Sequence, residues 1–117
     1  MLFNEKNLSY YDGYFVVRRV FDDMKKEKIY QKITDYLKNE GAKKVAIFGS
    51  YSRDEEKPDS DIDVLVAFYD SKSLLELVSI ERKLSKKIGV KVDLLTEKSL
   101  NPYLKQNILK QMKVLYG

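Results

Sequence analysis

Two apolar runs, Lys44–Phe48 and Asp61–Phe68, constrain this chain more than any other feature. The first is rich in β-forming residues and stops at Gly49-Ser50. The second alternates, with Asp61, Asp63 and Leu65 on one face and Ile62, Val64, Val66 and Phe68 on the other. Each run therefore reads as a strand. Between them a polar segment carries Arg53, Asp54, Glu55, Glu56, Lys57 and Pro58, and here the chain turns back. One face of the second strand is for packing, and the other presents two carboxylates.

The flanking segments supply helices and further strands. From Lys25 to Glu40, Ile29, Ile33, Tyr36 and Leu37 form one face opposite Lys and Glu, the pattern of an amphipathic helix ending near Asn39 and Gly41. Asp70, Ser71 or Ser73 is the N-cap of a second helix, whose stripe of Leu74, Leu77, Val78, Leu84 and Ile88 ends near Gly89. Val90–Leu95 reads as a third strand. Asn101-Pro102 opens a helix with Leu104, Ile108 and Met112 on one side, and Lys113–Tyr116 closes as a short edge strand. Residues 1–24 form an aromatic-rich extension ahead of the 25–117 domain. In it Ser9 with Asp12 reads as a helix start, although Tyr14-Phe15-Val16-Val17 also fits a short strand. Its aromatic side chains suit either the domain's own core or a docking surface.

At 117 residues, with 44% hydrophobic and 34% charged residues, the chain has the length and composition of a single soluble domain. No apolar run approaches the roughly 20 residues of a membrane-spanning helix, and the first residues lack a secretory pattern, so the cytoplasm is the expected location. With no cysteine and no histidine, any chemistry must run on carboxylates, hydroxyls, lysines and arginines. A metal held by oxygen ligands alone would be Mg2+, with Mn2+ as the alternative. The formal charge of +4 permits an anionic ligand without pointing to nucleic acid as a direct substrate.

Asp61 and Asp63 carry the strongest chemical signal. Side chains at i and i+2 of a strand point the same way, roughly 7 Å apart at the backbone, so both carboxylates can converge on ions between them. The same pair could also serve as a solvated turn and cap. Asp93, inside an otherwise apolar strand, shares the open face if the strands are neighbours, and a carboxylate there must be paired, solvated or coordinated. Lys91 is its nearest alternative partner. Three aspartates on one face repel, and divalent cations relieve this: two metals about 3.5–4 Å apart can clamp the attacking and leaving oxygens of phosphoryl transfer. Gly49 lets the backbone approach a ligand, and the Ser50 hydroxyl with nearby amides can bind phosphate oxygens.

Ile47-Phe48-Gly49-Ser50-Tyr51-Ser52-Arg53, then Ser60-Asp61-Ile62-Asp63-Val64-Leu65-Val66, then Val92-Asp93-Leu94-Leu95, resemble the nucleotidyltransferase superfamily of DNA polymerase beta. Within it the chain is similar to the minimal nucleotidyltransferases, the antitoxins paired with HEPN toxins. The likeness runs from about Ile29 to Gly117 and leaves the residues before Asp23 without a counterpart. It implies an α+β, two-layer, palm-like fold: a mixed sheet with helices packed on one face and the active site on the other. Carried over by position, Gly49 and Ser50 would hold the nucleotide triphosphate, and Asp61 and Asp63 would coordinate two Mg2+ ions. Asp93 would complete one metal site and help deprotonate the attacking hydroxyl. Arg53 would offset phosphate charge, with a salt bridge to Asp59 or Glu55 as its other use.

The resemblance implies an enzyme that places AMP from ATP on a hydroxyl, a tyrosine of a HEPN toxin. Two alternatives stand beside it: a module that neutralises the toxin by contact alone, and transfer to a small molecule. Because so short a chain lacks an evident acceptor pocket, a partner protein or a second copy in a homo-oligomer is expected to complete the site.

Overall fold

The computed structural model describes residues 8–117, with side chains from Asp23 onward. The element order is α1 (Leu8–Asn39), β1 (Ala42–Phe48), a 3-10 turn (Tyr51–Arg53), β2 (Ile62–Phe68), α2 (Leu74–Ile88), β3 (Val92–Thr96), a second 3-10 turn (Glu97–Ser99), α3 (Pro102–Gln111) and β4 (Lys113–Tyr116). The chain divides into two compact units between Gln31 and Lys32. The first described segment is helical throughout, so the strand reading of Tyr14–Val17 does not hold, and one continuous helix replaces a helical segment before Met24 and a separate one after it. The expected roles of Ser9 and of the aromatic side chains lie outside the described side chains. No helix among the described residues is long and apolar enough to cross a membrane.

The second unit holds a mixed four-stranded sheet in the order β3-β2-β1-β4. β1 pairs antiparallel with both β2 and β4, whereas β2 and β3 run parallel. A parallel pair requires a crossover, and α2 provides it. Local chemistry sets the ends of α2. Ser73, of the three candidate caps, accepts from Glu76 N while Glu76 returns a carboxylate oxygen to Ser73 N, and Gly89 ends the helix at φ 75°. Asn101 caps α3 through Leu104 N, with Pro102 in its first turn.

The alternation of β2 places Ile62, Val64 and Val66 on one face of the sheet, and all three are fully buried. With Val45, Ile47 and Val92 from the neighbouring strands, Ile33 and Leu37 from α1, and Ile80 and Leu84 from α2, they make up the core. The Lys87 ammonium lies 5.6 Å from the Tyr36 ring centre, which sets the end of α2 beside the last turns of α1. On the opposite face Leu65 and Ala46 are also buried, and Asp63 and Asp93 lie half-buried at one end of that face. The outer edge of β3 is blunted by α2. Ser85 Oγ accepts from Val92 N, and Glu81 Oε2 accepts from Leu94 N, both at 2.8 Å.

Candidate active site

The end of β1 and the starts of β2 and β3 meet at one end of the sheet. Phe48, the last residue of β1, is in register with Asp63, and Asp63 is in register with Asp93 across the parallel pair. Residues in register project to the same face, so the sheet itself brings the two carboxylates side by side. Asp61, expected as the first residue of the second strand, stands one residue ahead of β2, and its Oδ2 lies 3.7 Å from the Lys91 ammonium. Lys91 therefore pairs with Asp61 and leaves Asp93 to Asp63.

The charge of this cluster is strained in a specific way. Burial, followed by the charges of Asp93 and Asp61, pushes the Asp63 carboxyl up to about 6, and a hydrogen bond shared with Asp93 adds to the rise. The positive charge of Arg53 pulls it partway back. Among the described residues no three acidic side chains close into a ready metal-binding group. Even so, the donor set consists of hard carboxylate oxygens that repel one another, which is the chemistry that suits Mg2+ or Mn2+.

Gly49 leaves β1 at φ 74°, a conformation costly for any residue with a Cβ. A Cβ at this position would also run into the Asp63 carboxylate. Both constraints fall on one residue, so glycine joins the turn to the aspartate. The loop that follows is tightly tied: Ser52 Oγ donates to Gly49 O at 2.8 Å, and Ser50 O accepts from Arg53 N and Glu55 N. The Ser50 side chain makes no cap bond to the 3-10 turn. Arg53 donates from Nε to Glu55 Oε1 at 2.8 Å and from Nη1 to Gln111 Oε1 at 3.1 Å. Glu55, rather than Asp59, is thus its carboxylate partner.

The structure brings Gly49, Asp63 and Asp93 into direct juxtaposition, with Arg53 and Asp61 close enough to act on Asp63 electrostatically. Ser50 follows Gly49 in the same turn. Two participants escaped the sequence reading. Ser52 left a local trace, a hydroxyl three residues after a turn glycine, whereas Gln111 left none, because its bond to Arg53 spans 58 positions.

The profile of the family described as polymerase beta, nucleotidyltransferase matches residues 31–117. A Methanocaldococcus jannaschii chain named as a candidate protein adenylyltransferase is 46% identical over 84 residues, covering 72% of this chain and 90% of its own length. Among solved structures, a crystal structure of a toxin-antitoxin with AMP-PNP superposes with a TM-score of 0.70 at 29% identity, over 75% of this chain and 73% of that one. A chain from the complex of tri-AMPylated Shewanella oneidensis HEPN toxin with MNT antitoxin gives a TM-score of 0.65 at 27% identity, over 78% and 71%. The mixed sheet and the matched residues agree with the fold expected from the Gly49-Ser50 and Asp61-Ile62-Asp63 motifs, and the chain belongs to the polymerase beta nucleotidyltransferase family.

Proposed function

We propose that this chain transfers AMP from ATP to a tyrosine hydroxyl of a partner HEPN toxin and so acts as the antitoxin of a pair. The observation that carries the reading is the crowding of Asp63 by Asp93 and Asp61 directly beyond the Gly49 turn. The names of the similar proteins, an adenylyltransferase, a toxin-antitoxin with AMP-PNP and an AMPylated HEPN toxin with its MNT antitoxin, support the direction of the transfer and the kind of partner.

Gly49 and Ser50 receive the triphosphate, the glycine by admitting it close to the backbone and the serine through its hydroxyl. Arg53 offsets the phosphate charge. Asp61, Asp63 and Asp93 would hold Mg2+, which when bound supplies Lewis-acid stabilisation of the phosphoryl oxygens. Asp93 accepts the proton of the attacking hydroxyl. The tyrosine oxygen forms a bond to the α-phosphorus, the bond from that phosphorus to the bridging oxygen of pyrophosphate breaks, and the products are a tyrosyl-AMP ester and pyrophosphate. Such a transfer would remove the toxin's free hydroxyl.

The test is incubation with labelled ATP, Mg2+ and the protein encoded beside it. Label should pass to the partner, and Asp61→Asn or Asp63→Asn should abolish the transfer. Absence of transfer, with those variants neutralising the toxin as well as the wild type does, would leave neutralisation by contact alone.

A further inference from the structure

Arg53 closes the loop that begins at Gly49, and both flanks of its guanidinium are engaged: Nε by Glu55 of the same loop, Nη1 by Gln111 at the end of α3. The second bond follows from the sheet. Lys113, two residues after Gln111, pairs with Ile47, two residues before Gly49, so the end of α3 arrives where the loop departs from β1. Nη2 has no acceptor among the described residues, while the charge of the group reaches Asp63.

The chemistry of the two partners differs to a purpose. Glu55 is a carboxylate and already offsets part of the arginine charge. A second carboxylate in the place of Gln111 would cancel more of it, whereas a neutral amide oxygen orients the fork and leaves its charge available. An untethered arginine at an exposed site samples many rotamers, and each must be given up when a phosphate binds.

We propose that Gln111 is a positioning residue for the transfer reaction: by accepting from Nη1 it holds the Arg53 guanidinium at the mouth of the site, with Nη2 left to receive a phosphate oxygen of the nucleotide. The inference rests on the nucleotidyltransferase reading above. It gives α3 a role in substrate binding although none of its residues is buried.

Two measurements on the full chain test it. In label transfer with Mg2+ and the partner, Gln111→Ala should raise the KM for ATP about three- to tenfold, the worth of one hydrogen bond, with kcat held within about twofold. Arg53→Ala should raise the KM further, and Gln111→Ala should add nothing in that background. An unchanged KM, or an equal loss in both backgrounds, would overturn the proposal. In the nucleotide-free protein, side-chain 15N relaxation should show an ordered Arg53 Nε–H that loosens in Gln111→Ala; an Nε–H already mobile in the wild type would overturn the tether whatever the activity. A wild type that binds no ATP would instead sink the functional reading, so the two failures are distinguishable.

Discussion

Gly49 and Asp63 set the terms of the site jointly, because the left-handed glycine is also the residue whose missing side chain makes room for the carboxylate. Gly49→Ala should therefore lose about 1–3 kcal/mol in urea unfolding and weaken nucleotide binding as well; a variant as stable as the wild type would mean the carboxylate moves aside freely. Asp63 makes a second prediction, on pH. Its folded value of about 6 lies above its ordinary 3.8. Between those values the folded chain keeps a proton that the unfolded chain has released, so this group favours folding as pH falls through that window and disfavours it above. In metal-free protein at pH 7, Asp63→Asn should raise the melting temperature, and the gap to the wild type should narrow at pH 5. Parallel melting curves at the two pH values would contradict the assignment of the strain to Asp63.

At the scale of elements, β3 is an edge strand that supplies a site residue, and α2 guards it. Glu81 and Ser85 occupy amide donors that would otherwise face outwards. Glu81→Leu keeps the bulk of that side chain but leaves the Leu94 amide without an acceptor, which should cost about 1–3 kcal/mol and promote aggregation through the exposed edge. Glu81→Gln retains an acceptor and should stay near wild type; equal losses in both would assign the effect to the negative charge. These caps were not legible in the sequence, since Glu81 reads as one more polar residue on the outer side of an amphipathic helix. By contrast Gly89, Asn101-Pro102 and the alternation of Ile62–Phe68 act through neighbours a few positions away, and for that reason the ends of α2 and α3 and the faces of β2 could be read before any coordinates. The continuous α1 shows the limit of local reading: a run of aromatic and β-branched residues suits a helix or a strand equally until its surroundings choose.

For the molecule as a whole, the crowding of Asp63 by Asp93 and Asp61 is what the proposed metal and nucleotide would relieve. ATP with Mg2+ at about 100 times the dissociation constant should therefore add about 2.7 kcal/mol of stability, seen as a rise in melting temperature that Asp61→Asn and Asp63→Asn lose. An unchanged melting temperature under saturating ligand would count against the site. The motif residues of this site were legible because Gly49-Ser50 and Asp61-Ile62-Asp63 lie close in sequence, and Asp93 because a carboxylate interrupts an apolar strand. The tether from Gln111 was not, because only the pairing of β4 with β1 creates it. The parallel pairing of β2 with β3 has one more consequence, in time. Asp63 and Asp93 become neighbours only when the crossover between β2 and β3 closes, and parallel pairing across such a separation is among the slower events of folding. A nascent chain that has already joined β1 to β2 carries the glycine turn and two of the aspartates, and Asp93 joins them when the parallel pair closes.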